Sequence, residues 1–204
     1  MSEPVAYIVD DDDSIRELLA WLMRRNAIRA EVFPDARSFL DAWRDEGPAC
    51  LVLDLYLPDM NGLELQKLLH ARGITVPIVF LSGRADVPRA VDAVKGGAVD
   101  FIEKPFDYKR IVEVVRGCLE RDAQARAARE RNRGAAERLA SLSQREREVL
   151  DRVVAGKLNR EIAEELAISI KTVEAHRARL MEKLEVGSLA ELVQATLAAG
   201  QRAG

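Results

Sequence analysis

From residue 5 to the helix that starts near Asp107, short apolar runs alternate five times with amphipathic stretches, and this alternation limits the possible folds more than any other feature of the chain. The runs "VAYIV" (5–9), "CLVLDL" (50–55), "PIVFLS" (77–82) and "VDFI" (99–102) are pronounced, and "AEVF" (30–33) is weaker. Runs that are apolar along their whole length read as strands covered on both faces. In "SIRELLAWLMRR", Ile15, Leu18, Leu19 and Leu22 recur at helical spacing, with Ser14 as the expected N-cap. "DARSFLDAWRD" repeats the device with Asp35 as cap and Phe39 and Trp43 on the inner face, while Gly73 and the Gly96-Gly97 pair are helix stops. The pattern predicts an α/β unit built on a doubly wound, five-stranded parallel sheet, whose ligands sit outside the carboxyl ends of the strands.

The last helix of that unit starts near Asp107 and has no clear stop. "ERDAQARAARERNRGAAER" (120–138) is rich in Ala, Arg and Glu, so a helical linker over 121–141 is expected, with Gly134 as its break. An all-α module then fills 142–204, leaving 1–120 to the sheet. In the module Ser143 caps "QREREVLDRVVA", which stops at Gly156, and Asn159 caps "REIAEELA". Ser169 caps "IKTVEAHRARLMEKL", and Ser188 caps a last helix through Ala199. A short helix, a turn of about three residues and a longer helix form a helix-turn-helix signature.

Charge separates the two halves. Residues 1–120 hold 15 Lys and Arg against 21 Asp and Glu, a net of −6; residues 121–204 hold 16 against 13, a net of +3. A cation suits the first half and a polyanion the second. The start, "MSEPVAYIVDDDD", has no basic region or small-residue cleavage site, and no apolar run reaches the roughly 18 residues of a membrane span, so a cytoplasmic protein without membrane attachment is expected. Cys50 and Cys118 lie in apolar patterns without metal-ligand spacing and read as buried free thiols.

The strand ends carry the chemistry. Asp10 and Asp11 close the first strand and Asp54 closes the third, so three carboxylates are expected at one sheet edge. Such a group repels itself unless a cation compensates it, and hard oxygen ligands suit Mg²⁺. Asp12 and Asp13 read as solvated charges favourable to the helix dipole. Ser82, ending the fourth strand, offers a hydroxyl, and Lys104, ending the fifth, offers a fixed ammonium. Together these groups can hold a phosphoryl group, with Asp54 as its acceptor. In the second half, Val173, Leu180 and Leu184 form the inward stripe of the longer helix. Lys171, Glu174, Ala175, Ala178 and Glu182 lie opposite, flanked by Thr172, Arg177 and Arg179. Cations there meet phosphates, Glu can accept from cytosine N4, and Ala can touch a thymine methyl.

The ordered set Asp10, Asp11, Asp54, Ser82, Phe101 and Lys104-Pro105 resembles the flavodoxin-like receiver domain of two-component response regulators. "LSQREREVLDRVVAGKLNREIAEELAISIKTVEAHRARLMEKLEV" resembles the LuxR-type DNA-binding domain, and the two together resemble the NarL/FixJ branch, nearest its FixJ members. The first resemblance implies that Asp11, Asp54 and the carbonyl of Tyr56 coordinate Mg²⁺, with Asp10 acting through water. It implies that a sensor histidine kinase phosphorylates Asp54, that Ser82 and Phe101 swing inward as the switch, that Lys104 binds a phosphoryl oxygen, and that Lys104-Pro105 is cis. Tyr56 and Arg84 stand where such domains tune dephosphorylation. The second implies that Glu174, Ala175 and Ala178 face bases of double-stranded DNA while Thr172, Arg177 and Lys183 lie near its backbone. His176 packs beside the scaffold, and the final helix can form a dimer contact. The expected function is a transcriptional regulator that dimerises on phosphorylation and reads a symmetric promoter site, with RNA polymerase as a further candidate partner; its only catalysis is its own phosphorylation and dephosphorylation. Two other classes are an aspartyl-phosphate hydrolase, which would want an Asp-x-Asp element after the first strand and no DNA-binding tail, and a phosphorylation-independent DNA-binding factor, which would need a broken acceptor set.

Overall fold

In the computed structural model of the chain, residues 3–83 and 87–200 are described, without the side chains of 197–200. Arg84, expected beside the phosphoacceptor site, lies outside them, as do residues 201–204 of the expected last module. The chain divides into two compact units, residues 1–126 and 127–204.

The first unit alternates strand and helix: β1 (Val5–Val9), α1 (Asp13–Arg25), β2 (Arg29–Phe33), α2 (Ala36–Ala42), β3 (Ala49–Asp54), α3 (Gly62–Ala71), β4 (Ile78–Ser82), α4 (Val87–Lys95), β5 (Asp100–Glu103) and the start of α5 (Tyr108–Ala140). The strands form one parallel sheet in the order β2-β1-β3-β4-β5. β1, β3 and β4 are buried along their whole length, in keeping with their unbroken apolar runs. Successive side chains supply two cores in turn. Tyr7, Leu51, Leu53 and Phe80 join Phe39, Leu65 and Leu69 on one face, while Ile8, Val52, Val79 and Leu81 join Leu19, Met23, Ile111 and Val115 on the other.

Asp35 caps α2 as expected, accepting from the Ser38 amide at 2.7 Å. The cap of α1 is one aspartate earlier than expected: Asp12 accepts from the Ser14 amide at 2.8 Å, and Ser14 is inside the helix. A carboxylate here satisfies an orphan N–H and the helix dipole together, which a hydroxyl does less well. Gly134 does not break α5. The helix runs on to Ala140, because one glycine costs only about 1 kcal/mol and the surrounding Ala, Arg and Glu favour helix.

The second unit continues with α6 (Gln144–Val154), α7 (Asn159–Leu166), α8 (Ile170–Leu184) and α9 (Leu189–Gly200). Its core gathers Val149, Leu150, Val153, Ile162, Leu166, Val173, Leu180, Leu184 and Leu192. Ser143 caps α6 within a capping box, and Ser169 caps α8. Asn159 does not cap α7. Leu158 holds that position, its own amide bonded to the Glu161 carboxylate at 2.7 Å, and Asn159 is the first helical residue. The turn between α7 and α8 is Ala167-Ile168-Ser169, with Ala167 in the left-handed region at φ 52°.

Candidate functional site

At the carboxyl edge of the sheet the chain leaves β1 through Asp10, ends β3 on Asp54, ends β4 on Ser82 and leaves β5 through Lys104. Parallel neighbours in register bring these ends together although they are up to 94 residues apart in sequence. The Lys104 ammonium donates to Asp10 Oδ2 at 2.6 Å and to Asp54 Oδ1 at 2.7 Å. The remaining oxygens are also bonded, Asp10 Oδ1 by the Asp12 amide at 3.0 Å and Asp54 Oδ2 by the Tyr56 amide at 2.6 Å. Asp10, Asp54 and Ser82 are buried. Phe101 is half-buried, its ring centroid 6.4 Å from that of Phe80, and Lys104-Pro105 is cis.

Two carboxylates share one ammonium, so the buried triad retains a formal negative charge. Burial pushes the Asp10 carboxyl above its usual range, against the bonds from Lys104 and the Asp12 amide. Burial alone would push the Lys104 ammonium down; its bonds to Asp10 and Asp54 outweigh burial and hold it above its usual range. Lys104 therefore stays a cation at neutral pH, beside acceptor oxygens it has partly neutralised.

Asp11 does not join the buried pair. It is exposed, and among the described residues no group of three or more His, Cys, Asp or Glu side chains forms a metal-ligand cluster. A third buried carboxylate beside a single ammonium would be repelled and costly to desolvate. The donor set nonetheless fits a hard divalent cation: carboxylates at a strand edge with residual negative charge, a third carboxylate adjacent in sequence, and the backbone carbonyl of Tyr56.

Three supports have little signal in sequence. Gly62 opens α3 so close to the end of β3 that a Cβ would stand 2.6 Å from the Asp54 carbonyl oxygen, which fixes the short loop carrying Tyr56. Asp59 ties that loop to α2 by accepting from the amides of Ala36 and Arg37 at 3.1 and 3.0 Å. Buried Asp122, on α5, accepts from the Ala49 amide at the start of β3 at 2.9 Å and from Arg126 at 2.7 Å. The "PDMNG" turn points to Gly62; a lone Asp in a helix of charged residues points to nothing.

In the second unit, Val173, Leu180 and Leu184 face the core, while Lys171, Glu174, Ala175, Ala178 and Glu182 are exposed on α8. Three of the expected backbone-contacting side chains already have partners. The Thr172 hydroxyl lies 2.7 Å from that of Ser169, and Arg177 donates to Asn159 Oδ1 at 2.7 Å. The Lys183 ammonium pairs at 2.8 Å with the carboxylate of Glu146, which also accepts from the Ser143 amide at 2.8 Å. The bond from Lys183, helped by Ser143, holds the Glu146 carboxyl down to about 2. His176 is half-buried, with no hydrogen-bond partner for Nδ1.

The comparisons agree with this two-part geometry. Residues 6–116 match the response regulator receiver domain, and residues 140–196 match the bacterial regulatory proteins of the luxR family. The chain is 43% identical over 194 residues to the transcriptional regulatory protein FixJ of Azorhizobium caulinodans, covering 95% of this chain and 92% of that protein. It is 41% identical over 192 residues to the response regulator protein TodT of Pseudomonas putida, covering 94% and 85%. Among solved structures, the response regulator StyR is similar at TM-score 0.90 and 40% identity, covering 96% of this chain and 99% of that one. Full-length FixJ from B. japonicum is similar at TM-score 0.60 and 37% identity, covering 98% and 99%.

Proposed function

The chain belongs to the response regulators that join a receiver domain to a LuxR-type DNA-binding domain, and from that premise we propose that Asp54 is the switch of a phosphorylation-controlled transcriptional regulator. In this reading residues 1–120 are the receiver, 121–141 the helical linker and 142–204 the DNA-binding module. A sensor histidine kinase supplies the phosphoryl group. The buried bridge from Lys104 to Asp10 and Asp54 is the observation that supports the reading most.

The Asp54 carboxylate is the nucleophile. The Tyr56 amide orients one of its oxygens and Lys104 the other, and the Lys104 ammonium is placed to neutralise an oxygen of the incoming group. Asp10, Asp11, Asp54 and the Tyr56 carbonyl would hold Mg²⁺, which when bound supplies charge neutralisation at the phosphoryl oxygens. Phosphorylation adds roughly −1.5 to −2 charge at a buried strand end. Ser82, the last residue of β4, answers it with a hydroxyl, and Phe101 repacks beside Phe80. The response is read out on the face made by α4, β5 and α5, where Val87, Val91 and Val94 leave an apolar stripe exposed on α4. Two chains joined there present two α8 helices about one DNA turn apart, roughly 34–36 Å, to a symmetric site.

On α8, Glu174, Ala175 and Ala178 face bases, while Lys171, Thr172 and Arg177 meet the backbone; Lys183 meets it only by sharing its bond with Glu146. Such work on chromosomal DNA places the protein in the cytoplasm, and no helix among the described residues is long and apolar enough to cross a membrane. RNA polymerase is the partner proposed for the promoter-bound dimer, and the chain's only catalysis is its own phosphorylation and dephosphorylation. Intact-mass and peptide analysis after incubation with Mg²⁺ and an acyl-phosphate donor tests the reading. One phosphoryl group, on the peptide holding Asp54, is expected; labelling elsewhere, or none, contradicts it.

A further inference from the structure

Asn159 stands where the sequence predicts an N-cap, yet the start of α7 is held without it. The Glu161 carboxylate reaches back to the Leu158 amide at 2.7 Å, and Asn159 is already helical. Its carboxamide is turned instead toward α8, where Oδ1 accepts from the Arg177 guanidinium at 2.7 Å. Both residues are half-buried. Asn159 is carried on a fixed element, because Ile162, one turn further along α7, is fully buried in the core that also takes Leu166 and Val173. The bond thus joins the first turn of α7 to the middle of α8, across the short turn between them.

What faces each cation of α8 decides what that cation can still offer. Lys183 meets the carboxylate of Glu146, which cancels its charge. Arg177 meets a neutral oxygen. A guanidinium carries several N–H donors in a rigid fork, so the bond to Asn159 leaves the other donors and the whole charge available. An unanchored arginine, by contrast, loses much rotamer freedom when it meets a phosphate. We propose that Asn159 is a positioning residue for DNA binding, which holds the Arg177 guanidinium ready for a backbone phosphate while supplying no charge of its own. This rests on Arg177 lying at the DNA backbone. Ordering a long side chain before contact rather than during it changes affinity by about threefold to tenfold.

The test is a salt titration of binding to a fluorescently labelled, mixed-sequence DNA duplex, using the full chain with Mg²⁺ and an acyl-phosphate donor, with helix melting followed for each variant. Arg177→Ala is expected to lower the slope of log affinity against log salt by about one. Asn159→Ala is expected to weaken binding about threefold to tenfold and to lower the slope by roughly half as much or more. The double variant is expected to bind no more weakly than Arg177→Ala. Asn159→Ser, whose shorter side chain is well tolerated at a helix start but gives up the bond, is expected to match Asn159→Ala. A lower melting temperature with the parent's salt slope in both Asn159 variants would make the pair a brace between helices and overturn the proposal. Parental affinity in both, or losses that multiply in the double variant, would overturn it too. An unchanged slope in Arg177→Ala, or a parent chain that binds no duplex, would overturn the placement of Arg177 at the backbone, and the proposal with it.

Discussion

Lysine meets a buried carboxylate in both units, and the two meetings differ in charge balance. Lys104 serves two carboxylates, and burial pushes that of Asp10 up. Lys183 serves one, Glu146, whose carboxyl is held down to about 2 by that bond and by Ser143. The second pair is electrically complete and braces α8, through its last turn, against the start of α6. The first is left negative, at the carboxyl edge of the sheet. A closed pair fixes a helix; an open one keeps the net charge that the proposed cation would answer.

The largest effect expected is on the open pair. Asp54→Asn should abolish donor-dependent phosphorylation altogether, read by intact mass, while leaving the basal DNA affinity of the helical module unchanged. Next, Lys171→Ala with Arg177→Ala should weaken binding to duplex DNA by about 10- to 100-fold and lower the slope of log affinity against log salt by about two, as expected for two lost phosphate contacts; an unchanged slope in a salt titration would remove these residues from the interface. The closed pair should respond first in stability. Glu146→Gln removes the charge that Lys183 and Ser143 hold, and should destabilise the second unit by about 1–3 kcal/mol at neutral pH, measured by helix melting in circular dichroism.

The smallest effects are in acid, and they have opposite signs. Glu146 titrates lower in the folded chain, from 4.5 to about 2, so its contribution is full above pH 4.5 and lost as pH falls toward 2. The gap between the parent and Glu146→Gln should close over that window. Burial makes Asp10 titrate higher in the folded chain than its ordinary 3.8, so folding takes up its proton and the first unit gains from acid there. Trp21 and Trp43, the chain's two tryptophans, both lie in the first unit, so their fluorescence follows that unit separately. Asp10→Asn should abolish the gain.

The open site was far more legible in the sequence than the closed one, for a physical reason. Apolar runs covered on both faces must be strands, parallel strands end together, and the residues that stop the runs, Asp10, Asp54, Ser82 and Lys104, therefore meet at one edge. No periodicity relates Glu146 to Lys183; they meet because α6 and α8 pack around Val149 and Leu180. The same holds for Asp122 and Gln66, ordinary surface residue types whose burial follows only from how α5 and α3 lie against their neighbours. Helix starts were misread where two capping candidates stood close together, as at Asp12 and Ser14, or where a glutamate reached back to an uncapped Leu158. Asp11, expected with Asp10 and Asp54, is exposed while those two are buried, a difference that adjacency in sequence does not reveal.

The most direct test of the account is light scattering on the purified chain with Mg²⁺, with and without an acyl-phosphate donor, beside Asp54→Asn. The account predicts a donor-dependent doubling of mass that the variant loses. A mass that does not respond to donor, or a response that survives Asp54→Asn, would contradict it.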